Sequence, residues 1–181
     1  MAYLLKTLLT LMVVAVALTA MTAMGLVDLS FGHIELAIPT FLYVMFIQAF
    51  VMFYFIGVAR FVENIFTILS TQKNLDELFD VAPNDLEPYM KKVKRFHYQT
   101  STSKRQTIPW TILMLVLGSF GFLLGGAHDT GVVSKTVHTG VIYSFMITML
   151  IGYVRQWYYL SKSHQLLREI KALFSIPDGS M

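Results

Sequence analysis

The side chains best suited to chemistry are histidines, carboxylates and methionines near the ends of long apolar runs. Seven of them form the candidate set: His33, His128, His138, Glu35, Asp129, Met21 and Met24. Imidazole with thioether sulfur suits copper, whereas imidazole with carboxylate suits iron, zinc or manganese. We therefore predict a metal site for copper or iron from this set.

Haem b is a further candidate cofactor, because it needs two histidines that face one another. His128 and His138 bracket a nine-residue loop, so they are placed to meet across it. The simpler alternative is that these histidines are ordinary polar residues at the ends of helices, and that two of the 11 methionines lie beside them by chance. No regular metal-ligand spacing decides between these interpretations.

The sequence carries no recognisable catalytic motif, such as a glycine-rich phosphate loop or a zinc-binding HExxH. No Asp, Glu, Lys or His lies near the middle of an apolar run, although proton and ion pumps usually need such a residue. These observations favour a protein that is not an enzyme. With 55% hydrophobic residues, 14% charged residues and no cysteine, the composition also excludes a disordered chain and a disulfide-stapled module.

Four apolar runs must position these residues: 4–27, 38–59, 108–127 and 138–160. Each has about 20 residues or more, which is enough to cross a bilayer as a helix. The sequence predicts an all-α integral membrane four-helix bundle made of two transmembrane hairpins. A small cytoplasmic helical hairpin, with a loop at 99–103, is expected between the second and third helices.

The basic residues predict the orientation, because cytoplasmic loops are enriched in Lys and Arg. Thirteen of the 14 lie at the N-terminus, in the middle segment or in the C-terminal part. Both termini are therefore expected in the cytoplasm, and a bacterial inner membrane is our preferred location. The predicted units are hairpin 1 (1–60), the cytoplasmic segment (61–107), hairpin 2 with its helical extension (108–174) and a tail (175–181).

Small residues predict how the last two helices pack. The third run carries Gly118, Gly121 and Gly125, nearly on one face, and the fourth carries a stripe spaced by four: Gly140, Ser144, Thr148 and Gly152. Small residues let membrane helices approach closely, although glycine is also simply common in such helices. Gln48, the most polar residue in the middle of the second run, is expected to form a hydrogen bond between helices.

A basic cluster follows in the middle segment: Lys91, Lys92, Lys94 and Arg95. Cations near a bilayer attract anionic headgroups by about 1 kcal/mol each, so we expect these residues to contact lipid headgroups. A nucleic-acid partner is not expected from so short a patch beside a membrane.

The function that we infer from the sequence is a non-catalytic accessory or structural subunit of a larger membrane complex. Its partners are then the lipid bilayer and other membrane subunits, or further copies of the same chain. The aromatic second run fits this role, because such a helix contacts either lipid or protein. The alternative is a metal-binding or haem b protein that acts in electron transfer or metal handling at the outer, periplasmic face.

A third interpretation comes from topology. Leu117-Gly118 and the stretch from Thr148 to Gly152 are similar to the glycine- and threonine-bearing helices of MotA-like stator proteins. The chain also resembles that family in its short outer loops, the insertion between its second and third helices and its helical tail. The resemblance implies a homo-oligomeric ring around a helix of a partner.

Overall fold

The computed structural model describes residues 1–30, 32–79 and 83–174. Within them the chain forms four long helices: α1 (Ala2–Ala23), α2 (His33–Thr71), α3 (Glu87–Asp129) and α4 (Lys135–Phe174). A short 3-10 turn, Leu75–Glu77, follows α2. The all-helical class predicted from the sequence is confirmed, and all four helices are long and apolar enough to cross a membrane. The predicted tail, 175–181, lies outside the described residues.

Three of the helices are about twice as long as a bilayer requires. α2, α3 and α4 contain 39, 43 and 40 residues, which corresponds to roughly 60 Å each at 1.5 Å per residue. The predicted boundaries at 60/61 and 107/108 fall inside α2 and α3, so the middle segment continues these two helices. Its chain reversal lies between Thr71 and Glu87.

The expected loop at 99–103 is wrong, because α3 runs through it without a break. Two polar side chains of this stretch are buried and bond to their own helix: Thr100 Oγ1 donates to the His97 carbonyl, and Ser103 Oγ donates to the Gln99 carbonyl. Pro109, the second residue of the third apolar run, also lies inside α3. One turn before it, the Gln106 carbonyl accepts a hydrogen bond from Arg155 Nε of α4.

The helices pack around two successive hydrophobic cores. The four-helix core takes residues from every helix: Leu5, Leu9, Met12, Val16, Val44, Ile47, Val51, Phe55, Met114, Phe145, Met149 and Leu160. The three-helix core is formed by the extended parts of α2, α3 and α4 and the turn after α2: Val62, Ile65, Leu69, Leu78, Val93, Phe96, Leu166, Ile170 and Phe174. Helix α1 contacts α2 and α4 and contributes to the four-helix core alone.

Candidate functional site

Two of the histidines expected at the metal site do meet. The rings of His128 and His138 lie 6.0 Å apart between centroids and are nearly parallel, at 13°. His128 Nδ1 lies 3.2 Å from the Val133 carbonyl oxygen. Because a carbonyl only accepts, Nδ1 carries the proton and Nε2 of His128 is left with a free lone pair.

A glycine on α3 makes room for this pair. A Cβ atom at Gly125 would lie 3.3 Å from Cε1 of His138, so a larger residue there would press on the ring. Nδ1 of His138 is buried and has no hydrogen-bond partner in the described structure. Buried polar atoms are usually paired, so this nitrogen is an exception that a ligand would remove.

The other five members of the predicted set are placed less favourably. His33 begins α2 and is exposed, and Asp129, the last residue of α3, is exposed as well. Glu35 Oε2 accepts a hydrogen bond from the Gly32 backbone N–H and so caps α2. Met21 and Met24, at the end of α1, are exposed.

The structure therefore brings together a histidine pair rather than the full predicted set. Within residues 1–30, 32–79 and 83–174, no three His, Asp or Glu side chains come close enough to hold a metal ion. What remains is one available imidazole nitrogen on His128 and one buried, unpartnered nitrogen on His138. Two imidazoles can supply two ligands to a copper ion or to a haem iron.

Glycines on α3 and α4 lie against large side chains of the opposite helix. A Cβ atom at Gly152 of α4 would lie 2.7 Å from Met114 Cε, and one at Gly121 of α3 would lie 2.9 Å from Ile142 Cδ1. A Cβ atom at Gly118 would approach Phe145 to 3.3 Å. At these three positions the lack of a side chain allows α3 and α4 to pack closely.

The predicted stripe on α4 is only partly at this contact. Thr148 and Gly152 are buried, whereas Gly140 and Ser144 are exposed. A Cβ atom at Gly140 would have no neighbour within 4 Å, and Ser144 Oγ donates to the Gly140 carbonyl. The large residues between the stripe positions, Ile142 and Phe145, meet the α3 glycines instead.

The expected hydrogen bond of Gln48 is confirmed. Its side chain and that of Gln156 on α4 are both fully buried, and their amides pair reciprocally. Gln156 Nε2 donates to Gln48 Oε1 at 2.7 Å, and Gln48 Nε2 lies 3.5 Å from Gln156 Oε1. Gln156 also donates to Thr111 Oγ1 at 2.8 Å, and Gln48 Nε2 lies 3.3 Å from Met12 Sδ. One polar cluster thus joins all four helices.

Sequence reasoning missed Gln156 as the partner of Gln48. It stands beside Arg155 and Trp157, near the end of an apolar run, where polar residues usually face headgroups. The sequence feature that could have indicated the role of Gln156 lies on α3. Thr107 and Thr111 are spaced by four, which gives that helix a polar face for Gln156.

The basic cluster on α3 points outward. Lys91, Lys92, Lys94 and Arg95 are all exposed, as headgroup contact requires. A second group of positive charges lies near the start of α1: the N-terminal amino group, Lys6 and Arg168 of α4. Lys6 Nζ donates a hydrogen bond to Ser161 Oγ at 2.7 Å.

His164 lies beside this second group, and its ring packs edge-on against Tyr3, 5.0 Å between centroids. Burial lowers its pKa, and the positive charges of Arg168, the N-terminal amino group and Lys6 lower it further. The imidazole is therefore kept in its neutral form more strongly than a free histidine.

Exposed large apolar side chains occupy only part of the bundle. They extend to Phe53 in α2, begin at Ile112 in the apolar part of α3 and end at Tyr158 in α4. In the described residues of α2, α3 and α4 beyond these points, only Tyr98 exposes a large apolar side chain. The exterior therefore changes from apolar to polar along the helices.

A row of phenylalanines dominates the apolar exterior of α2. Phe46, Phe50 and Phe53 are 64%, 54% and 63% exposed, and their spacing of four and three puts them on one face. Phe41 is instead stacked on Phe122 of α3, with ring centroids 4.4 Å apart.

Comparison with known proteins adds no relative: no family model, no curated protein and no solved structure matches this chain.

Proposed function

We propose that the chain is an integral protein of a bacterial inner membrane, with four spans in two hairpins and both termini in the cytoplasm. The apolar exterior supports insertion, because exposed hydrocarbon side chains are stable in lipid and costly in water. The polar exterior of the three-helix core suits a cytoplasmic extension. The distribution of Lys and Arg supports the proposed orientation, in which both termini lie in the cytoplasm.

Single cysteines test this topology cleanly, because the chain has none of its own. We expect Ser134→Cys, in the exposed turn before α4, to react with a membrane-impermeant maleimide in cells whose outer membrane has been opened. Lys73→Cys, in the turn after α2, should react only after the inner membrane is also permeabilised. Labelling of Lys73→Cys from outside would overturn the orientation.

We propose further that this protein is a non-catalytic subunit of a larger membrane complex. The observation that carries this function is the exposed row of Phe46, Phe50 and Phe53 on α2. Aromatic side chains dominate the energetics of protein contacts, and they are enriched at the centres of interfaces. All three side chains are more than half exposed, so the row remains available for a partner.

A photo-crosslinking amino acid at Phe50 tests the interface. We expect ultraviolet light to link it to a partner in intact membranes. The same group at Leu150, an exposed apolar position on α4 that is 52% exposed, should link mainly to lipid. Equal protein adducts at both positions, or none at Phe50, would contradict the proposal.

The mass of the purified particle in mild detergent distinguishes the two kinds of complex that this function allows. A hetero-complex and the ring implied by the stator resemblance both contain a second protein, but the ring also contains several copies of this 20.6 kDa chain. A monomer under conditions that preserve lipid contacts would exclude both.

The histidine pair supports a second candidate function, metal or haem b binding at the outer face. The observation that favours it is the buried, unpartnered Nδ1 of His138 beside the nearly parallel ring of His128. Metal analysis and an absorption spectrum of the purified protein test it. A His138→Phe variant should lose any metal or haem that the wild type carries, and a colourless, metal-free wild type would end this proposal.

A further inference from the structure

A cavity of about 290 Å³ opens between α3 and α4, on the polar side of the apolar exterior. Its cationic side chains are Arg95 and Lys162, and its only carboxylate is Glu169. The Glu169 carboxylate already accepts a hydrogen bond from Gln165 Nε2 at 3.2 Å. The cavity therefore has an excess of positive charge, and its volume is at the small end of the range for ligand pockets.

The lining also contains a hydroxyl that has no partner in the described structure. Ser163 is only 2% exposed and lines the cavity. Serines of long helices often donate to the carbonyl four residues earlier, as Ser161 Oγ does to Trp157, but Ser163 makes no such bond. The hydroxyl can therefore donate a hydrogen bond to a ligand in the cavity.

On α4 the cavity begins where the exposed apolar surface ends, which suits a lipid phosphate. Tyr158 is both a lining residue and the last exposed apolar side chain of α4. Lys162 is one turn further along, about 6 Å at 1.5 Å per residue. The exposed ring of Tyr98 flanks the same opening from α3. Aromatic rings with cations just beyond them are typical of the layer between hydrocarbon and water.

We infer that this cavity binds a phosphate group through Arg95, Lys162 and the hydroxyl of Ser163. The phosphate belongs either to an anionic phospholipid headgroup or to a soluble phosphate compound, which present the same oxygens. Arg and Lys both bind phosphate, with Arg offering a planar pair of donors. The lipid form of this inference rests on the proposed membrane insertion.

The test uses the full chain in mild detergent at about 0.15 M salt, where distant charges are screened. Phosphatidylglycerol, phosphatidylcholine or inorganic phosphate is titrated, and the rise in thermal midpoint gives the affinity. The variant Arg95→Gln with Lys162→Gln should bind phosphatidylglycerol about 30-fold more weakly, because it lacks two cations that each contribute about 1 kcal/mol near the surface. Ser163→Ala should bind it about tenfold more weakly, because it lacks a hydrogen bond to a charged group.

A matched control removes the same charges elsewhere on the same helices. Lys104→Gln with Arg168→Gln also exchanges one Lys and one Arg, and neither residue lines the cavity. This control should keep the wild-type affinity. Equal losses in the cavity variant and the control would overturn the site, as would an unchanged affinity in Ser163→Ala.

The choice of ligand distinguishes the two sources of phosphate. Stabilisation by phosphatidylglycerol alone supports a headgroup site, whereas equal stabilisation by inorganic phosphate supports a soluble ligand in the same cavity. No response to either, or no preference for phosphatidylglycerol over phosphatidylcholine without a response to phosphate, would overturn the inference. Cysteine labelling reports insertion separately, so this failure would leave the membrane proposal intact.

Discussion

Replacing Gln156 by leucine should destabilise the bundle by leaving Gln48 buried without its amide partner. The variant loses the 2.7 Å hydrogen bond to Gln48 and the 2.8 Å bond to Thr111. Thr111 still donates to the Thr107 carbonyl at 3.2 Å, so the main cost falls on Gln48. The side-chain amide of Gln48 keeps only Met12 Sδ as a hydrogen-bond partner.

The expected loss is about 1–2 kcal/mol of unfolding free energy. Leaving a buried polar group unsatisfied costs roughly 1–3 kcal/mol, whereas hydrogen bonds between membrane helices average about 0.6 kcal/mol. Gln48→Leu should cost less than Gln156→Leu, because the Gln156 amide would still donate to Thr111.

The double variant gives the sharpest test. With leucine at both positions no amide is left unpaired, so the loss should be smaller than that of Gln156→Leu alone. Gln165→Leu, an exposed glutamine on the same helix, is the control and should stay within about 0.5 kcal/mol of wild type.

The assay is reversible unfolding in mixed micelles of mild detergent and dodecyl sulfate, followed by circular dichroism. Wild type, the two single variants and the double variant form a double-mutant cycle, which gives the interaction free energy between the two amides directly. Gln165→Leu is measured beside them as the control. If the two single losses add up in the double variant, the amides are not energetically coupled and the reasoning is wrong.

Two further predictions also concern stability, the first measured by the same assay and the second by thermal unfolding. Gly152→Leu should cost about 1–3 kcal/mol by overpacking Met114, whereas Gly140→Leu, with no neighbour within 4 Å, should be nearly neutral; equal effects would contradict the packing. Because the pKa of His164 is lowered in the folded state, its contribution to stability is present above about pH 6.5 and declines on acidification toward the folded pKa. His164→Phe should therefore show a smaller loss of thermal midpoint between pH 7.5 and 5.5, and an unchanged loss would refute this.

Hydropathy predicted the four helices because runs of about 20 apolar residues have few alternatives. The same method failed at 99–103, where the composition is typical of a loop. There tertiary packing decides, because Thr100 and Ser103 are buried against neighbouring helices and satisfy their hydroxyls within α3. Hydropathy alone contains no information about that burial.

The candidate sites were predicted where one sequence feature sufficed. The meeting of His128 and His138 follows from a short loop between two antiparallel helices. The amide pair could not be predicted in this way, because Gln48 and Gln156 are 108 residues apart. Their meeting depends on the register of α2 against α4. The exposure of Gly140 also depends on register, since a stripe spaced by four drifts around a long helix.

That register is set by two cores that are stabilised differently under the proposed insertion. The three-helix core removes apolar surface from water, so the hydrophobic effect stabilises it. The four-helix core gains little in this way, because lipid is as apolar as its side chains. It depends instead on glycine contacts such as Gly152 with Met114 and on the amide pair. Since α2, α3 and α4 run unbroken through both cores, packing in the three-helix core also constrains the alignment that brings Gln48 to Gln156.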